Sequence, residues 1–326
     1  MTRFHPGAAG AATVVWSLAM DADDPLEAVR EACGRVARSA RRVTLREDRI
    51  ASLAAGLRDE TGPPDPARAA LGDEAATVAF VLTLDTINFG SGWAAHWPGY
   101  ATVAGALRRR FEAEGPRPAA ELARIGPAGV ARLLGQDPDG PLGGLWSLYA
   151  RSLGELGRGL AERWGGRFEG PIEEARGSAA RLVRALAGLP PFRDVALHEG
   201  RAVPFYKKGQ LVAADLAIAL GGRGLGRFED LARLTAFADN VLPHVLRIEG
   251  ALEPDPGLAE RIDRGEPLVS GSPEEVELRA AAVHAVEGLA AASQLRPMDV
   301  DGILWRRGHL PRFRAGPAHR TRTVFY

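Results

Sequence analysis

The chain carries a single cysteine, Cys33, in 326 residues. No internal disulfide can form and no thiolate zinc site can close, which fits a reducing cytosol. Lysine is scarce, and arginine supplies nearly all of the 41 basic residues, a bias that reads as a GC-rich genome rather than as a fold signal. Those 41 are matched by 41 acidic residues, so the net charge is zero. A neutral total argues against a general nucleic-acid binder while leaving room for a local basic patch. No apolar run is long enough for a bilayer. The best candidate, TVAFVLTLDTINF (77–89), is too short and carries Asp85 and Asn88. The N-terminal stretch TRFHPGAAGAATVVWSLAMDA is a poor secretory signal, because its middle is mostly Ala and Gly and contains Pro6. A cytoplasmic protein is expected.

Several catalytic signatures are missing too. There is no G-x-S-x-G elbow, so a serine triad has no support. Glu277, His284 and Glu287 form no i, i+4 pair and the seven histidines are scattered, so no metal is expected. GGRGLGRF (221–228) has the wrong spacing for a dinucleotide loop and follows a helical pattern rather than a strand, so it reads as a helix stop. No fixed-period repeat and no long linker is visible, which points to one large domain.

What is present is helical periodicity, in a chain that is 46% hydrophobic and 25% charged. Residues 24–40 put Leu26, Val29, Cys33 and Val36 on one face. Further helices are expected at 46–60, 99–113, 117–124, 128–135, 143–163, 172–188, 207–220, 228–249, 256–264 and 273–292. Residues 75–89 suit either a central helix or a buried strand. VALHEGRAVPFY (195–206) reads as a β-hairpin turning at Glu199-Gly200, and RTRTVFY (320–326) as a short strand. The fold class is therefore mainly α, with minor β-hairpin elements.

Five stretches could carry chemistry. In RFEDLARLTAFADNVLPHVLRIEG, a helix would place Asp239 about 80° off the stripe begun by Leu231. Pro243 would then clash with the carbonyl of Asp239 and cost about 3 kcal/mol, kinking the helix beside a carboxylate. The alternative is that Asp239 caps a new helix starting near Asn240–Pro243. In PFYKKGQLVAADL, Lys207 and Lys208 open a helix, where first-turn N–H groups and two lysines make an anion site; the alternative is two solvated lysines. In DTINFGSGW, Asn88, Phe89 and Trp93 either line a cavity for a planar ligand or pack in the core. In PMDVDGILW, Asp301 and Trp305 stand i, i+4 and suit the N–H edge of a base, unless Asp299 or Asp301 is merely an N-cap. SPEEVELRAAAVHAVE opens with a capping pattern at Ser272, Pro273 and Glu275.

Together these blocks resemble the queuosine salvage protein family. FYKKGQLVAADL, GRFEDLARLTAFADNVLPHVLRIEGAL, EEVELRAAAVHAVE, MDVDGILW and HRTRTVFY occur in the family's order, and LDTINFGSGW matches more loosely. The resemblance runs from about Thr77 to Tyr326. It implies one queuosine-salvage glycosylase domain over 1–326, mostly helical and similar to the helix-hairpin-helix DNA glycosylases. It implies an N-glycosylase that cleaves queuosine 5′-phosphate and releases queuine, a deazaguanine base, for reuse in tRNA. No metal or organic cofactor, no stable nucleic-acid partner and no membrane are expected, only a small-molecule nucleotide substrate. The family's F-A-D-x-x-x-P pattern places the catalytic carboxylate at Asp239, with Phe237 beside the base. Lys207 is the first choice for the 5′-phosphate and Lys208 the second. Asp301 would take the aminopyrimidinone edge with Trp305 packing nearby, and Asn88 and Phe89 would complete the substrate contacts. One position departs from the family: the acidic residue that often follows the Trp of the LW pair is Arg306 here. The competing expectations are a helical nucleic-acid binder without hydrolase activity and a helical scaffold without a site.

Overall fold

Helix α1 (Pro25–Ser39) starts where the Asp24 carboxylate accepts from the Leu26 and Glu27 amides, with Pro25 in the first turn. Its stripe of Leu26, Val29, Cys33 and Val36 is buried. A computed structural model describes residues 24–60, 62, 68–93 and 96–326; the N-terminal stretch weighed above as a secretory signal lies outside them. After α1 come strand β1 (Val43–Leu45) and helices α2 (Glu47–Leu57), α3 (Glu74–Thr86), α4 (Tyr100–Glu114), α5 (Ala119–Leu122), α6 (Pro127–Leu133), α7 (Gly143–Trp164), α8 (Gly170–Ala175) and α9 (Ala179–Ala187). A hairpin, β2 (Val195–His198) and β3 (Arg201–Pro204), leads into α10 (Lys207–Ala219). The chain closes with α11 (Val241–Ile248), β4 (Leu252–Pro254), α12 (Pro256–Asp263), β5 (Pro267–Leu268), α13 (Pro273–Ser293), α14 (Pro297–Gly308), α15 (Pro311–Arg314) and β6 (Arg320–Thr321).

The architecture is mainly α, as the periodicity predicts. Two deeply set helices are α3, buried without a break from Thr77 to Thr86, and α10, buried without a break from Lys207 to Ala217; α13 packs against α1, α2, α11 and α14. The doubtful segment 75–89 is thus a helix; the Asp73 carboxylate caps it, and Thr83 and Thr86 turn their hydroxyls onto carbonyls one turn back. The hairpin turns at Glu199 and Gly200, both at positive φ (48° and 75°), the backbone that a two-residue turn between twisted strands requires.

Several expectations need correcting. Residues 228–249 are not one helix. Residues 228–240 are irregular apart from a 3₁₀ turn at Leu231–Arg233, and the helix begins at Val241. Pro243 therefore sits in a first turn, where backbone N–H groups have no intrahelical partner, and it kinks nothing. The predicted 172–188 helix is split at Arg176 and Gly177, both at positive φ, and Asp230 receives the Ser178 hydroxyl and the Ala179 and Ala180 amides at the restart. The C-terminal strand shrinks to Arg320–Thr321, paired in parallel with Pro267–Leu268. The antiparallel pair β1–β4, which joins chain segments about two hundred residues apart, went unpredicted because neither three-residue piece has a period to read.

Candidate active-site cavity

The segment that carries Asp239 is held extended rather than helical by side-chain bonds to α10. Buried Gln210 accepts from the Thr235 amide (2.8 Å) and donates to the Phe205 carbonyl (3.0 Å) and the Thr235 hydroxyl (2.9 Å). At the end of this segment Asp239 Oδ1 accepts from the Val241 amide (2.8 Å) and the Leu242 amide (3.2 Å). Asp239 thus caps a helix that starts at Val241, the alternative that the sequence left open. One carboxylate oxygen fastens the side chain to the helix start, while Oδ2 has no hydrogen-bond partner among the described residues.

Asp239 lines a cavity of about 510 Å³, together with Phe237, Lys207, Asp301, Trp305, Asn88 and Phe89. These residues come from the turn after α3, the start of α10, the 237–241 segment and α14. The Asp301 carboxylate is buried, and its Oδ1 accepts from the Phe237 amide at 2.8 Å. Burial, reinforced by the nearby Asp239 carboxylate, pushes the Asp301 pKa up to about 8. Asp301 is not an N-cap: α14 starts at Pro297, and Asp299 pairs with Arg296 instead.

Lys207 and Lys208 are the only two lysines of the chain, and both are buried. They diverge. The Lys207 ammonium reaches the cavity and donates to the Asn88 carbonyl at 3.4 Å. Burial lowers its pKa, opposed by the carboxylates of Asp239, Asp85 and Asp301. Lys208 does not line the cavity. Its ammonium donates to the Thr86 carbonyl (2.9 Å) and lies over the rings of Phe89 (5.1 Å) and Phe192 (5.6 Å), behind the wall that Phe89 forms. Nor is the start of α10 an open anion site, because the Asp194 carboxylate already accepts from the Lys207 amide (3.3 Å).

The wall at Phe89 is braced by further contacts. The Tyr149 hydroxyl donates to the Phe89 carbonyl (2.5 Å) and accepts from the Trp97 indole (3.3 Å), and the Phe89 and Tyr149 rings meet edge to face. Gly92 in the following turn packs so closely on Thr321 that a Cβ there would stand 2.1 Å from the Thr321 carbonyl oxygen. Asn88 donates its side-chain amide to Asp85 Oδ1 (3.2 Å), which aims its own carbonyl oxygen away from that acid. Opposite, Trp305 meets Tyr100 edge to face and lies 4.1 Å from the His309 ring.

The family model described as queuosine salvage protein matches residues 69–326. The chain belongs to the queuosine salvage protein family. It is similar to the queuosine 5′-phosphate N-glycosylase/hydrolase of Sphaerobacter thermophilus, 39% identical over 90% of this chain and 95% of that one. Proteins of the same name from Bos taurus (30% identical over 78% of this chain and 83% of that one) and Dictyostelium discoideum (32% over 77% and 78%) are also similar to it.

In this member of the family the cavity draws on residues that the sequence reading missed. Arg68 lines it and pairs with buried Asp215 at 3.2 Å. Trp97, Tyr100, His309, Arg314 and Tyr326 line it as well. Tyr326 ends the family-like block HRTRTVFY, and Trp97-Pro-Gly-Tyr100 is an aromatic pair around a turn, so both leave a signal in the sequence. Arg314 is one arginine among many and left none. Arg306 donates to the Glu60 carbonyl and is not on the cavity. Among the described residues no group of His, Cys, Asp and Glu side chains is arranged to hold a metal ion, and no helix is long and apolar enough to cross a membrane.

Proposed function

We propose that this chain hydrolyses the N-glycosidic bond of queuosine 5′-phosphate, adding water across C1′–N to release queuine and ribose 5-phosphate. The observation that carries the reading is the gathering of Asp239, Lys207, Asp301 and Phe237 on one aromatic-lined cavity, in a chain of the queuosine salvage family. Breaking a ribosyl C–N bond builds positive charge at C1′, as in other glycosidic cleavages. A carboxylate fixed beside that carbon lowers the barrier without reorganising at the moment of reaction. Asp239 meets this requirement, because Oδ1 is tied to two backbone amides and Oδ2 is left for the reacting centre or for the water that attacks it.

In this reading Lys207 takes the 5′-phosphate, and Lys208, behind Phe89, braces the wall instead of meeting substrate. Asp301 accepts from the aminopyrimidinone edge while the Phe237 amide holds its other oxygen. Phe237, Phe89 and Trp305 confine the base, and Asn88 offers it a hydrogen-bond acceptor. Residues 1–326 act as a single domain; cavity residues drawn from Arg68 through Tyr326 support this. The mainly helical architecture supports the finer likeness to helix-hairpin-helix DNA glycosylases. We further propose a cytoplasmic enzyme that needs no metal or organic cofactor and forms no stable complex with nucleic acid.

Incubation with queuosine 5′-phosphate, followed by mass spectrometry of the products, tests the reading. Free queuine is the expected product. Salt-dependent binding to RNA or DNA without release of base would replace the enzyme by a nucleic-acid binder.

A further inference from the structure

The block EEVELRAAAVHAVE belongs to the family resemblance, yet none of its residues lines the cavity. At its centre stands Arg279, buried in α13. All three of its nitrogens are engaged. Nε donates to the Ala238 carbonyl (3.1 Å), Nη1 to Asp194 Oδ1 (3.0 Å) and Nη2 to Asp194 Oδ2 (2.7 Å). The rings of Phe205 and Tyr326 flank the guanidinium carbon, at 3.9 and 4.6 Å from their centroids. Glu275 stands 3.6 Å from Nη1 and accepts from the Tyr326 hydroxyl (2.8 Å).

Each anchor is one step from the cavity. Ala238 precedes Asp239. Asp194 holds the start of α10, since its carboxylate accepts from the Lys207 amide and its carbonyl from the Phe205 and Tyr206 amides. Tyr326 is itself on the cavity wall. We infer that Arg279 is a positioning residue: it touches no substrate, and through Ala238 and Asp194 it sets where Asp239 stands relative to Lys207. A planar guanidinium bonds in three fixed directions at once, which an ammonium on a flexible stem does not reproduce. The inference rests on the reading that Asp239 and Lys207 act on the substrate.

The test is a pair of double-mutant cycles built on Arg279→Lys, with thermal melting as the control for folding. Arg279→Lys is expected to lower kcat roughly 10- to 100-fold, the scale of a misplacement of about 1 Å, and to raise KM. The fall in kcat should vanish when Asp239→Asn is already present, and the rise in KM should vanish in Lys207→Met, because each loss runs through its own partner. Loosening of the fold would instead give the same losses in every background, and that result, or no loss at all, overturns the inference. If Arg279→Lys does not melt cooperatively, Phe205→Leu carries the same cycles. It removes one flanking ring and keeps the hydrogen bonds, with an expected fall in kcat of about threefold that is absent beside Asp239→Asn; an equal fall in both backgrounds overturns the inference. Near-normal turnover by Asp239→Asn alone would sink the underlying assignment of Asp239, whereas additive losses alongside a crippled Asp239→Asn would sink only the role of Arg279.

Discussion

Two buried clusters of charge lie side by side in this protein and are treated in opposite ways. Around Arg279 every hydrogen-bonding atom of the central pair is used, with both Asp194 oxygens and all three guanidinium nitrogens in bonds of 3.1 Å or less. Around the cavity the charges are left incomplete. Asp239 bonds through one oxygen only, Asp301 is buried against a single backbone amide, and Lys207 has one long bond to a carbonyl. A buried charge without its full set of partners is costly, and a fold keeps one where something else arrives to complete it. Saturated charges hold the structure; the incomplete ones on the cavity are those proposed to meet substrate.

The largest expected effect belongs to the unsaturated side. Asp239→Asn keeps an oxygen for the cap of α11, so the melting temperature should barely move, while queuine release falls by about 10²–10⁴-fold, the usual reach of one electrostatic or acid–base group. Near-normal turnover would erase the functional half of the comparison. The saturated side should fail in the other way. Asp194→Ala strands the Arg279 charge and should cost about 3–5 kcal/mol in urea unfolding. A loss under about 1 kcal/mol, the range of an exposed pair, would show that the cluster is not acting as a buried pair.

Asp301 sharpens the contrast through pH. Its folded pKa, near 8, lies above the unfolded value near 3.8, so between those values the folded state holds more of this proton than the unfolded state does. Its contribution to stability is therefore fully present in acid and is lost as pH rises through about 4 to 8. Asp301→Asn should remove that slope and melt higher than the parent at pH 8, yet lose activity by about 3- to 10-fold, the worth of one hydrogen bond. A variant that is both less stable at pH 8 and fully active would reverse the assignment.

The smallest effect is expected at Lys208. Burial, with Lys207 adding to it, lowers its pKa from 10.5 to about 7. The folded state then binds fewer protons than the unfolded state between those values, and stability should rise with pH across that window. Lys208→Met should flatten the rise, gain stability at pH 7 and leave queuine release within about threefold. A large loss of activity would return Lys208 to the substrate side of the Phe89 wall.

Much of this was legible in the chain, unevenly. Helices with a clear stripe and a cap, such as α1 and α13, were read to within a residue or two, because cap and stripe act over a few neighbouring positions. The error over 228–240 has a specific cause. Its apolar spacing imitates a helix, but Gln210 outcompetes that local preference by binding the Thr235 amide from twenty-five positions away. The Lys207–Lys208 pair stands out in the sequence, but which of the two faces the cavity depends on how α10 rolls against α3, and helical periodicity leaves that open.

The sequence by itself determined the mainly helical character, the hairpin turn at Glu199-Gly200 and, through ordered blocks, the family. Only the tertiary structure decided that Asp301 lies under Phe237, sixty-four positions away, that Lys207 reaches Asn88 across 119, and that Arg279 binds both Ala238 and Asp194. Propensity, capping and turn chemistry act over about one turn of chain, whereas a cavity is the space left when distant helices pack, and its lining is known only once every side chain around it has a place.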